Sequence, residues 1–164
     1  MIMKSIKITK ETFVEDFVET SIAHAKAYDF RCNLEHPDSE IRKREHEAFD
    51  ENQKMSKQTG NRLRKMSNFL KKDPAFAKET LDKLVELSDE DDANPHVMFS
   101  VACQLWAFSY RMDDFDRLCK KALRLMEQGT SSRSAKGMLY SCMKDGGAGL
   151  AAKDIGRHRY PKLD

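Results

Sequence analysis

An all-α fold follows from three observations on this 164-residue chain. Apolar residues recur at three- and four-residue steps through most of its length, and Asp-Pro and Asn-Pro pairs punctuate those runs. Period-two alternation is confined to residues 2–8, which have no partner strand. Seven or eight helices packed as antiparallel hairpins are expected. At 40% apolar content the chain can bury one real core, so residues 1–156 are expected to form a single domain and 157–164 a flexible basic tail.

Thr9 is placed to cap a first helix, in which Phe13, Val14, Phe17, Val18, Ala25 and Tyr28 form the inward stripe and which ends near Cys32. Pro37 and Asp38 restart the chain. The next segment, about 38–58, is polar, with only Ile41, Ala48 and Met55 at seven-residue spacing. Such a narrow stripe suits a helix at the edge of the core or one pairing with another chain. Gly60 is expected to interrupt, after which Leu63, Met66, Phe69 and Leu70 resume an apolar face.

Asp73-Pro74 starts a helix filled by Leu81, Leu84, Val85 and Leu87, since Asp caps free amides and Pro tolerates the first helical position. Asn94-Pro95 repeats the device. Val97, Met98, Val101, Ala102, Leu105, Trp106 and Met112 then make the most apolar helix, expected to be central. Asp113 can cap a helix carrying Phe115, Leu118, Cys119, Ala122, Leu123 and Met126 and ending at Gly129. A further helix is expected over 131–144, and a short piece near Leu150 and Ile155.

Charge is strongly segregated. Residues 1–72, 73–116 and 117–164 carry +3, −8 and +7, within a net +2. From Asn52 to Lys72 the chain has no Asp or Glu in twenty-one residues but seven cations, Lys54, Lys57, Arg62, Arg64, Lys65, Lys71 and Lys72. With Arg157 and Arg159 they are the candidate contacts for nucleic acid or an acidic partner. The acidic island peaks at Glu86-Leu87-Ser88-Asp89-Glu90-Asp91-Asp92.

Three fragments carry resemblances. The run Tyr110-Arg111-Met112-Asp113-Asp114-Phe115-Asp116, followed by Lys121-Ala122-Leu123-Arg124-Leu125, resembles the hinge of a tetratricopeptide repeat. It is one turn shorter and has no second copy, so the resemblance implies a helical hairpin, not a peptide-binding solenoid. With Leu105-Trp106 upstream, the same stretch is similar to part of phage small terminase subunits, which implies a role in a nucleoprotein complex. Lys26-Ala27-Tyr28 followed by His36-Pro37-Asp38 is similar in spacing to J-domain co-chaperones, which implies an Hsp70 partner. Arg31, Cys32 and Glu35 stand where that family needs apolar residues, and Pro37-Asp38 reads equally as a helix cap.

Catalysis finds no foothold. His24, His36, His46, His96 and His158 are scattered, with no H-x-x-x-H, E-x-x-H or C-x-x-C spacing to set two ligands on one helical face. Cys32, Cys103, Cys119 and Cys142 read as separate buried thiols, and Gly146-Gly147-Ala148-Gly149 as a helix end and joint instead of a phosphate loop. Neither metal nor cofactor is expected. No stretch approaches a bilayer-spanning apolar run, so a cytoplasmic location is expected.

The expected function is therefore non-enzymatic: a helical interaction protein, monomeric or a small homo-oligomer, acting as adaptor, inhibitor or assembly factor on another protein. The alternative is a nucleic-acid-associated protein that lays residues 52–72 along DNA or RNA phosphates.

Overall fold

Three of the helix starts are written in the sequence as caps, and the backbone uses each one. Asp38 accepts from the amides of Glu40 and Ile41, both at 3.0 Å. Asp73 accepts from Phe76 at 3.1 Å, and Asn94 from His96 at 2.8 Å. The computed structural model describes residues 6–28, 30–129, 136–137, 139–140, 143 and 160–163. Within them run five helices, α1 (Phe13–Tyr28), α2 (Ser39–Lys71), α3 (Pro74–Ser88), α4 (Pro95–Ala107) and α5 (Met112–Gln128). No strand occurs among the described residues.

The fold is an all-helical single domain built around α4, which packs against α5, α3 and α1, while α2 joins the body through α1 and α3. Met98, Val101, Ala102 and Leu105 of α4 are fully buried, and Trp106 is nearly so. Near the start of α1, Phe13 stacks on Phe69 at 5.8 Å between centroids and meets Phe76 edge-on at 5.7 Å. This cluster pins α1 to α2 and α3.

Several expectations are corrected. Gly60 does not interrupt: the residues on either side of it belong to one 33-residue helix, Ser39–Lys71, so two of the expected helices are one. An interior glycine costs a helix about 1 kcal/mol relative to alanine, and packing of α1 along this stretch offsets it. A Cβ on Gly60 would lie 3.4 Å from the His24 ring.

The first helix ends at Tyr28, leaving Cys32 half-buried in the connection to α2. Met112 belongs to α5, not α4, and is exposed. Ser109 and Arg111 between them are both left-handed, at φ 49°, and Asp113 lies inside the first turn of α5 instead of capping it. Arg111 Nε donates to Asp114 at 2.7 Å and helps hold that turn.

Of the helix expected over 131–144, residues 136–137, 139–140 and 143 are helical and Leu139 is buried; the rest, with Cys142 and the piece near Leu150 and Ile155, lies outside the described residues. Of the tail expected over 157–164, residues 160–163 lie among the described ones. Tyr160 packs edge-on against Phe108 at 4.9 Å, its hydroxyl lies 2.8 Å from Ser67 Oγ, and Leu163 packs against the core.

Candidate functional site

The acid-free run occupies the C-terminal two-thirds of α2, and helical geometry sorts its cations into two groups. Arg62 turns inward. Its Nε donates to Asp16 at 2.9 Å, its Nη2 makes a second, short contact to the same carboxylate, and Nη1 reaches the Ile6 carbonyl at 2.8 Å. Both partners are nearly buried, the side chains 12% and 17% exposed. The hydrogen bond to Asp16 raises the guanidinium pKa further, against the opposing effect of burial. Lys71 is also engaged, its ammonium 3.7 Å from the centroid of the Tyr160 ring.

Lys54, Lys57, Arg64, Lys65 and Lys72 are exposed. At 100° per residue they fall on one side of the helix, interleaved with Gln58, Asn61 and Asn68. Lys54 has a loose pair with Glu51 at 3.8 Å. Arg64 donates to the side-chain oxygen of Asn61. Lys57, Lys65 and Lys72 make no ion pair among the described residues. The structure thus brings five of the nine predicted site residues onto one surface and diverts Arg62 and Lys71 into the fold; Arg157 and Arg159 lie outside the described residues.

Cations around the acidic island behave differently. Arg117 forks onto Asp89 and also meets Asp114 at 2.9 Å. Arg111 contacts Asp82 at 3.0 Å and Asp114 at 2.7 Å. Burial alone would raise the Asp114 carboxyl, but Arg117 and Arg111 outweigh it and hold the pKa below the ordinary aspartate value. Tyr110 adds a hydrogen bond to Asp82 at 2.7 Å, and burial together with that carboxylate raises its phenol. Lys121 donates to the Ser88 carbonyl at 2.9 Å. Part of the island is consumed in joining α3 to α5, while Glu86, Glu90, Asp91 and Asp92 stay exposed.

A third feature was not anticipated. Between α1, α2 and α4, and closed on one side by Met126 of α5, lies a cavity of about 260 Å³ walled by Phe17, Leu63 and Phe99 and carrying Ser21 and His24 from α1. The available signal was polar residues at core positions: Phe17, Ser21, His24 and Tyr28 follow the four-, three- and four-residue steps of a buried stripe. His24 Nδ1 sits 2.7 Å from Thr59 Oγ1. Burial lowers its pKa, partly opposed by the Ser56 carbonyl.

Among the described residues no three His, Cys, Asp or Glu side chains converge as metal ligands, and no helix is long and apolar enough to cross a membrane. Compared with known protein families, curated proteins and solved structures, the chain matches none.

Proposed function

We propose that this is a non-enzymatic helical interaction protein, working in the cytoplasm through the outward side of α2 on an acidic surface of another protein. One observation carries the reading: Lys57, Arg64, Lys65 and the C-cap Lys72 face solvent along one side of α2 without an acidic partner among the described residues, whereas Arg62, Arg111 and Arg117 are each committed to carboxylates. Like charges along one face repel, and an anionic partner relieves that repulsion. Apolar footing lies further up the same helix, where Ile41 is 40% exposed and Ala48 is open.

A second reading, association with DNA or RNA, is favoured by the amides. Gln58, Asn61 and Asn68 alternate with the cations, and both kinds of side chain donate hydrogen bonds to phosphate oxygens. The quadruple variant Lys57→Glu, Arg64→Glu, Lys65→Glu, Lys72→Glu separates the possibilities. Wild type and variant are titrated against a glutamate-rich polypeptide, an arbitrary duplex and a single strand at low salt, with circular dichroism as the folding control. Binding of the polypeptide alone, lost in the variant, supports the protein partner. A mobility shift of nucleic acid that is lost in the variant supports the second reading, with a logarithmic salt slope of about 0.7 to 0.9 per phosphate contact. Wild type that binds none of the three overturns both.

A further inference from the structure

We propose that the cavity between α1, α2 and α4 is a binding site for a compact, uncharged, largely aromatic small molecule bearing one hydroxyl or carbonyl group. It is independent of the charged side of α2 and goes beyond the interaction reading.

Volume and lining set the class of ligand. An apolar cavity of about 150 Å³ is enough to hold benzene. The present one is about 260 Å³ and is walled chiefly by aromatic and aliphatic side chains, which suits a two-ring molecule. None of its described lining residues is Asp, Glu, Lys or Arg. A charged ligand would therefore meet no Asp, Glu, Lys or Arg counter-ion among the described lining residues, which favours neutral molecules.

The polar fittings are specific. Ser21 is 2% exposed, lines the cavity, and its Oγ has no hydrogen-bond partner among the described residues. A hydroxyl buried in that condition carries an unrecovered desolvation cost, and a ligand oxygen reaching it removes that cost. His24 supplies the complementary group. Thr59 Oγ1 donates to the carbonyl of Met55 at 2.9 Å or Ser56 at 3.1 Å, so it receives the proton of His24 Nδ1. With Nδ1 donating to Thr59, the neutral ring presents Nε2 as an acceptor, and burial lowers the ring's pKa in the direction that favours this form. Gln104, also in the lining, accepts from Ser67 through Oε1, which leaves its amide protons as donors. One ligand hydroxyl or carbonyl can thus be met by a donor or an acceptor without any ionised group.

The test titrates the full chain with 2-naphthol, naphthalene and 2-naphthoate, following amide and methyl chemical shifts and melting temperature. Saturable 1:1 binding of 2-naphthol is expected, with shifts concentrated at Ser21, His24 and Phe99. The anionic 2-naphthoate should bind at least about tenfold more weakly. Ala25→Phe and, separately, Ser100→Phe place a ring in the space and should each abolish binding with helical content intact; using both guards against one failing to fold. Ser21→Ala should bring 2-naphthol to within about twofold of naphthalene, erasing the preference for the oxygen-bearing probe. Absence of saturable 2-naphthol binding to wild type overturns the proposal. So do equal affinity for 2-naphthoate, undiminished binding in a folded filled variant, and an oxygen preference that survives Ser21→Ala.

Discussion

The outward side of α2 and the seam between α3 and α5 are built from the same charged residue types and use them in opposite ways. On α2, Lys57, Lys65 and Lys72 stand in solvent without an ion pair among the described residues. At the seam, Arg111 and Arg117 are each shared between two aspartates from different helices. The difference arises from proximity. The seam brings the acid-rich end of α3 beside the first turn of α5, whereas among the described residues the outer side of α2 beyond Lys54 has neither an acid in its own run nor a neighbour to supply one. Charge at the seam is structural glue, and charge on α2 is left in solvent.

Mutations can break or sharpen that contrast. The largest effect should come from Arg62, the cation of the basic run that behaves like the seam. Arg62→Ala leaves the half-buried Asp16 with only its Thr20 hydrogen bond and should cost about 2 kcal/mol, read as a fall in the denaturation midpoint. A loss below about 0.5 kcal/mol would place Arg62 with the exposed cations and break the division.

Arg117→Ala should cost less, about 1 kcal/mol, because its side chain is 44% exposed and its pairs are screened by water. A double-mutant cycle with Asp89→Ala should give a coupling of about 0.2 to 1 kcal/mol that shrinks as salt is added. Coupling that ignores salt would move this pair into the buried class.

His24 adds a pH dependence unrelated to either charged region. Its folded pKa is lowered below the ordinary 6.5, chiefly by burial, so the unfolded chain takes up the proton first as pH falls. The stability from keeping this ring neutral is complete above the unfolded value and is lost as pH drops from there through the folded value. Melting curves between about pH 7.5 and 5 should show that decline, and His24→Gln should flatten it. His96 lines the same cavity, so His96→Gln is the control that should leave His24's contribution in place.

Smallest of all should be the effect of Lys57→Ala, Lys65→Ala and Lys72→Ala on stability, each within about 0.5 kcal/mol. Combined loss of several kcal/mol, measured by urea unfolding, would mean that these side chains support the fold after all.

The starts of α2, α3 and α4 and the central place of α4 were legible because Asp38, Asp73-Pro74 and Asn94-Pro95 are local devices and the α4 stripe is nearly continuous. The length of α2 was not. A glycine reads as a break in one dimension, and only the packing of α1 beside Gly60 shows why it is not one. The basic run was visible as composition, but a count of charges cannot say that Arg62 finds Asp16, 46 positions away, or that Lys71 lies over Tyr160. Ser21 and His24 were obscured for the opposite reason. Their stripe reads as ordinary core, and the space beside them is created by α2 and α4.

α2 is also a rigid rod. Thirty-three residues at 1.5 Å each give it a length of about 50 Å, and its inward side changes character along the way. Thr59, Met66 and Leu70 are buried where the body lies alongside, whereas Ile41 and Ala48, at compatible angular positions, are open. Ala48 and Lys65 are separated by roughly 25 Å along the axis and face different directions. Molecules held at those two places would not collide, and the helix would fix their spacing as a ruler does.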